Sequence, residues 1–318
     1  MIRIHIMNSV KGGSGKSTTT LYLANYLRRK KHTNSTVPHD TVIIDLDVCG
    51  SSWSSNYENF MENKNNCIYL NDLFYDYDKN SNKEYIFHLN VKDKDTLGFI
   101  NVVMADAKRL TSMKDETLDV LESTVFHLVN ELYVPSEDIV TDIIFDMPPG
   151  YEKHSEQIIR HLIMDMESKL YDDSKREYEI YLYMLSNFNE ANYISNLQYV
   201  NNLYVNNGYS MSTDKIKKKN IVFVLNDING ITERLMEGKN IQSIMETYQP
   251  IFDDIKNKYY GIIKDCKVSF LFHSEFEHEK VKLQALAGTA TMPKTLEFQN
   301  EISQFESLFD NMYGGGKS

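Results

Sequence analysis

The 318-residue chain reads as an α/β protein: a three-layer sandwich whose mostly parallel central sheet of about seven or eight strands is flanked by helices. Three observations predict this. Strand-like apolar runs alternate with longer helix-like segments, and such alternation implies parallel pairing through right-handed crossovers. Runs such as Thr41-Val42-Ile43-Ile44 and Ile143-Ile144-Phe145 are near-continuously apolar, as in strands buried on both faces. Polar residues with chemical potential gather just beyond the strand ends, where such sheets place their ligands.

The first strand, near 2–8, is the alternating Ile2-Arg3-Ile4-His5-Ile6-Met7, and a helical pattern follows over 16–31. Further strands are expected near 41–46, 98–104, 141–146, 178–186, 220–226 and 265–272. Helical patterns lie between them near 115–133, 152–170, 189–206 and 232–258, with more from 277 to 312. Residues 1–318 read as a single domain. Between about 63 and 95 the chain turns rich in Asn, Asp, Lys and Tyr, a poor composition for a core, and a surface excursion is expected there. Residues 314–318, Gly-Gly-Gly-Lys-Ser, read as a flexible tail.

The turn out of the first strand is the most informative stretch: Asn8-Ser9-Val10-Lys11-Gly12-Gly13-Ser14-Gly15-Lys16-Ser17-Thr18. Strand, glycine-rich loop and helix in that order make a phosphate-binding loop, because the helix N-terminus and a row of backbone N–H groups converge on an anion. Gly12, Gly13 and Gly15 allow close backbone approach and positive φ. Lys16 would reach the β- and γ-phosphates, the Ser17 hydroxyl would sit on Mg²⁺, and Ser14 and Thr18 complete the cradle. Val10 stands where the usual pattern has its first glycine, so the loop is a variant.

The variation places Lys11 before Gly-Gly. Lys-Gly-Gly-x-Gly-Lys-Ser/Thr resembles the deviant Walker A motif of the ParA/MinD family of P-loop ATPases, in the SIMIBI class. The resemblance implies a mechanism: two monomers sandwich two ATP molecules face to face, and Lys11 crosses to the partner's nucleotide. A second cation at the γ-phosphate would make dimerisation depend on a triphosphate and neutralise charge developing during transfer. The plainer alternative is a solvated loop lysine.

Two further stretches agree. Thr41-Val42-Ile43-Ile44-Asp45-Leu46-Asp47 ends in a carboxylate pair; by the resemblance Asp45 holds Mg²⁺ through water and Asp47 orients or activates the attacking water. Asp142-Ile143-Ile144-Phe145-Asp146-Met147-Pro148-Pro149-Gly150 resembles a Walker B strand, with Asp146 as the metal carboxylate and Pro148-Pro149-Gly150 as a second switch segment. Each Asp alone also fits a strand-end turn. Val48-Cys49 departs from the Pro-Gln common in relatives after the second Asp, and Gly50-Ser51-Ser52 still suits a first switch loop. Asn226, closing Ile221-Val222-Phe223-Val224-Leu225, is the candidate adenine contact by the same resemblance, against a plain turn residue.

Composition bounds the partners. A net charge of −11 argues against a surface that coats nucleic acid, which leaves local basic patches at Arg28-Arg29-Lys30-Lys31 and Lys215–Lys219 for non-specific DNA. Cations in a helix's last turn also complement its dipole, and a lysine run also suits a solvated loop. The amphipathic segment Leu296–Asp310 is acidic, so anionic lipid would repel it; it is expected to dock on the core or on a protein. No run of about 18 apolar residues occurs. The opening residues do not form a secretory leader, and Cys49, Cys67 and Cys266 are isolated, all of which points to the cytoplasm. His273 and His278 lack the spacing of a helical metal pair.

Three functions fit these residues. The first is a ParA/MinD-like ATPase whose Mg-ATP homodimer binds cargo, most often DNA in partitioning, and releases it on hydrolysis stimulated by a protein partner. The second keeps the ATPase but gives it a protein complex to regulate or assemble. The third is an ATP-dependent metabolic ligase of the same fold, which Lys11 and the Asp-x-Asp pair fit less well.

Overall fold

In the computed structural model the described residues are 2–29, 41–48, 52–75, 83–90, 99–106, 108, 115–132, 141–148, 155, 159, 178–205, 220–227, 241–259, 266–272 and 296–313. The strands are β1 (Ile2–Asn8), β2 (Thr41–Asp45), β3 (Phe87–Asn90), β4 (Phe99–Val103), β5 (Thr141–Asp146), β6 (Tyr178–Asn187), β7 (Ile221–Asp227) and β8 (Lys267–Phe272). The helices are α1 (Lys16–Arg29), α2 (Ser52–Tyr57), α3 (Leu70–Tyr75), α4 (Asp115–Leu132), α5 (Glu190–Val205), α6 (Ile241–Tyr259) and α7 (Leu296–Tyr313). All eight strands join one sheet in the order β3-β4-β2-β5-β1-β6-β7-β8. Every pairing is parallel except that of β3 with β4.

The apolar runs explain the central strands. β1 lies between β5 and β6, with Ile4 opposite Ile143 on one side and Ile180 on the other. Ile2, Ile4 and Ile6 project into one hydrophobic layer, built with Val125 and Leu128 of α4, Leu197 and Val200 of α5 and Phe252 of α6. Met7 projects to the opposite layer, built with Leu23 and Leu27 of α1, Trp53 of α2 and Phe305 and Phe309 of α7. The three-layer α/β class expected from the sequence is the one observed.

The strand absent from the sequence expectation is β3, inside the polar stretch 63–95. It has four residues, and only Phe87 and Leu89 are apolar, so composition hides it; both are fully buried. In the same stretch α3 buries Leu70 and Leu73. This segment is thus in part a sheet edge: β3 covers β4, with His88 Nδ1 against Asn101 Oδ1 at 2.9 Å. Of the expected helix 152–170 only Ser155 and Ile159 are described, both buried, and of 232–258 only the part from Ile241 on. The tail 314–318 lies outside the described residues.

On the α1/α7 side, a polar cluster sits within the sheet. Arg3 makes two hydrogen bonds to Asp142, at 2.6 and 2.7 Å, and His5 Nε2 lies 3.0 Å from the same carboxylate. His5 Nδ1 meets the Tyr313 hydroxyl at 2.9 Å, and that hydroxyl also meets Tyr183. Tyr22 stacks on Phe305, with ring centroids 3.9 Å apart, and Tyr26 donates to Asp310. Through these contacts the C-terminal helix α7 is fastened to β1, β6 and α1.

Candidate functional site

The order β2-β5-β1 brings the three motif-bearing strands side by side, with Asp45 in register with Asp146 and Asp146 with Met7. The backbone stays paired just past the strand ends: Leu46 N–H donates to Asp146 C=O at 2.9 Å, and Met147 N–H to Met7 C=O at 3.1 Å. Since neighbouring strands lie about 4.8 Å apart, residues separated by nearly 140 positions share one small site.

Two of the three glycines in the loop after β1 adopt the positive φ that the sequence anticipates; Gly12 does not. Gly13 and Gly15 have φ of 70° and 83°, the left-handed region in which a side chain is strained. The turn into α1 is sealed at Gly15, whose carbonyl accepts both the backbone N–H and the hydroxyl of Thr19 at 2.9 Å. Ser9 closes the other side, its hydroxyl donating to Lys11 C=O at 2.6 Å. Lys11, Gly12 and Gly13 are exposed at the tip, whereas Ser14 and Thr18 are buried.

Lys16 is 8% exposed, and its ammonium donates to Ser9 Oγ at 3.2 Å. Burial lowers its pKa, and the Asp146 and Asp47 carboxylates oppose that shift. Asp146 is buried as well. Burial raises its pKa, opposed by Lys16, by a hydrogen bond from Ser17 and by one from Trp53. Asp45 is buried, with Oδ1 accepting the Asp47 N–H at 3.1 Å, while Asp47 is half-buried. Thus Lys16, Ser17, Asp47 and Asp146 interact within one site, with Asp45 beside them.

Do these residues suit Mg²⁺? Oδ1 of Asp146 is buried with no hydrogen-bond partner, a costly state for a carboxylate oxygen unless a cation or its water fills it. Ser17 and Asp45 add oxygen donors, the type Mg²⁺ prefers. Among the described residues no group of three or more His, Cys, Asp or Glu forms a metal cage. A site of one or two carboxylates completed by phosphate oxygens needs none, so the residues fit.

Asn226 lies near the end of β7, next to the glycine loop. It is fully buried, and its amide donates to Ser14 C=O at 2.7 Å, so it braces the glycine loop. Two more asparagines share this bracing. Asn8 Oδ1 accepts the Ser9 N–H at 2.9 Å. Asn196 on α5 accepts the Val10 N–H at 3.3 Å and donates to Leu185 C=O at 3.0 Å. Nothing in the local sequence marks Asn196. Trp53 had a signal, an aromatic residue six positions after Asp47, that motif reading passed over.

Cys49, Gly50, Ser51, Pro149 and Gly150 of the switch segments lie outside the described residues, as do Lys30, Lys31, Lys215–Lys219, His273 and His278. Among the described residues no helix is long and apolar enough to cross a membrane.

No protein-family model matches the chain. No curated protein matches it either. Among solved structures, pNOB8 ParA aligns over 100% of both chains at 12% identity with a TM-score of 0.46. pNOB8 ParA bound to nonspecific DNA aligns over 97% of this chain and 100% of its own, again at 12% identity and 0.46. Likeness at that level carries no argument about function.

Proposed function

We propose that the chain is a ParA/MinD-like ATPase, a switch in which Mg-ATP drives a face-to-face homodimer that binds cargo and hydrolysis releases it. One observation carries this reading: a buried lysine, a glycine loop with two positive-φ residues and a buried carboxylate with an orphan oxygen all meet at the carboxyl ends of adjacent parallel strands. Lys16 would bind the β- and γ-phosphates, relieving the burial of its ammonium by a doubly charged partner. Ser17 and Asp146 would hold Mg²⁺, with Asp45 acting through water; the cation would neutralise phosphate charge. Asp47, half-buried at the rim, would orient the attacking water or accept its proton. Lys11, exposed at the loop tip, would reach a partner's nucleotide.

DNA partitioning is the proposed task, with local basic patches as the DNA site and a protein partner that stimulates turnover. A net charge of −11 favours the second reading, a regulatory or assembly factor acting on a protein complex. Calorimetry with ATP tests the nucleotide site: Lys16→Ala is expected to abolish binding, and tight binding by that variant would sink the assignment. DNA binding by Asp47→Ala, compared with Mg-ATP and Mg-ADP at low and moderate salt, separates the two tasks. Partitioning requires ATP-dependent binding that weakens steeply with salt. No binding with either nucleotide shifts the cargo to protein.

A further inference from the structure

Trp53 is the single tryptophan of the chain, and it is fully buried. It stands on α2, six residues beyond Asp47, and its indole N–H donates to Asp146 Oδ2 at 2.8 Å. Its ring leans on the buried Tyr57, with centroids 5.0 Å apart and planes at 38°, which leaves little room to swing. A buried indole needs an acceptor, and many backbone carbonyls could serve. Here the acceptor is the buried carboxylate beside Lys16 and Ser17. Trp53 holds Oδ2, Ser17 also bonds to the carboxylate, and Oδ1 is left buried without a partner.

We propose that Trp53 is a positioning residue of the nucleotide site. By holding Oδ2 it helps aim Oδ1 of Asp146 at the cation that accompanies the nucleotide, and it links α2 to occupancy of the metal position. The inference rests on the Mg-nucleotide reading above. An outer partner that orients a metal-binding carboxylate governs cation affinity more than affinity for the rest of the ligand. An indole that only fills the core would, when replaced, weaken stability and all binding together.

Calorimetry on the full chain separates these possibilities. ATP affinity is measured in chelator and with Mg²⁺, and the gain that Mg²⁺ brings is compared between wild type and Trp53→Phe, which keeps an aromatic ring but lacks the N–H. The gain is expected to fall about tenfold or more in Trp53→Phe, with affinity in chelator changed by less than about twofold. Trp53→His, which keeps a ring N–H, is expected to recover part of it. In wild type, tryptophan emission should respond when Mg²⁺ joins bound ATP and not to ATP alone. An undiminished gain, or equal losses with and without Mg²⁺, overturns the inference. Should Trp53→Phe fail to fold, wild-type emission indifferent to Mg²⁺ overturns it equally. Failure of wild type to bind ATP at all would instead overturn the nucleotide reading.

Discussion

Replacing Asp142 should cost the fold heavily, because it strands a buried charge. Its side chain is fully buried and takes both hydrogen bonds from Arg3, itself 13% exposed. Burial pulls the Arg3 pKa down, but Asp142 more than reverses this and holds the guanidinium above its ordinary value. Asp142→Asn keeps the shape and removes the charge, which leaves a mostly buried cation without its counter-ion and deprives His5 of a carboxylate acceptor. Removing one partner of a buried pair costs about 3–5 kcal/mol, and Arg3's residual access to water and its place over the Tyr313 ring, 5.4 Å away, favour about 3 kcal/mol. For a chain of 318 residues that lowers Tm by about 4–5 °C. Urea and thermal unfolding, followed by circular dichroism, would measure it. The double variant Arg3→Met/Asp142→Leu should return to within about 2 kcal/mol of wild type, because no charge is then stranded. A loss below about 1 kcal/mol for Asp142→Asn would refute the reasoning and show that Arg3 relaxes into solvent.

Burial holds His5 below its ordinary value although Asp142 pulls the other way. The folded state therefore favours neutral His5, and stability is present above about pH 6.5 and lost as pH falls toward the lower folded value. His5→Gln should flatten the fall in Tm between neutral and mildly acidic pH, and an unchanged slope would assign the effect to other groups. Asn226→Ala strips Ser14 C=O of its donor, at a cost of about 1–3 kcal/mol, and should also weaken ATP binding; a variant unchanged in both would show that the loop needs no brace. Gly13→Ala adds a Cβ with nothing within 4 Å, so only the φ of 70° is strained and the melting loss should be about 1–2 kcal/mol. Lys11→Ala, placed in the Asp47→Ala background, should bind ATP yet stay monomeric by light scattering with Mg-ATP, and a normal dimer would make Lys11 an ordinary loop lysine.

Much of this molecule can be read along the chain because its signals are short-ranged. Alternation within Ile2–Met7, the apolar run Thr41–Ile44 and the glycines at 13 and 15 each report a conformation that a few neighbouring residues dictate. Hence most strand positions, the α/β class and the tight glycine turn after β1 were legible. β3 was not, since four residues with two apolar positions carry too little periodicity, and its burial comes from β4 rather than from itself.

Side-chain partnership is the other part, and it belongs to the folded sheet. Trp53 meets Asp146 across 93 positions, Arg3 meets Asp142 across 139, and Asn226 meets Ser14 across 212. Strand order sets these distances, and strand order is a property of how all the apolar faces pack at once. The amino-acid pattern names the lysine, the glycines and the carboxylates of the site. The assembled sheet turns Asn226 inward to brace the loop and places Trp53 against the carboxylate, because buried polar groups take whichever partners the packing brings within reach.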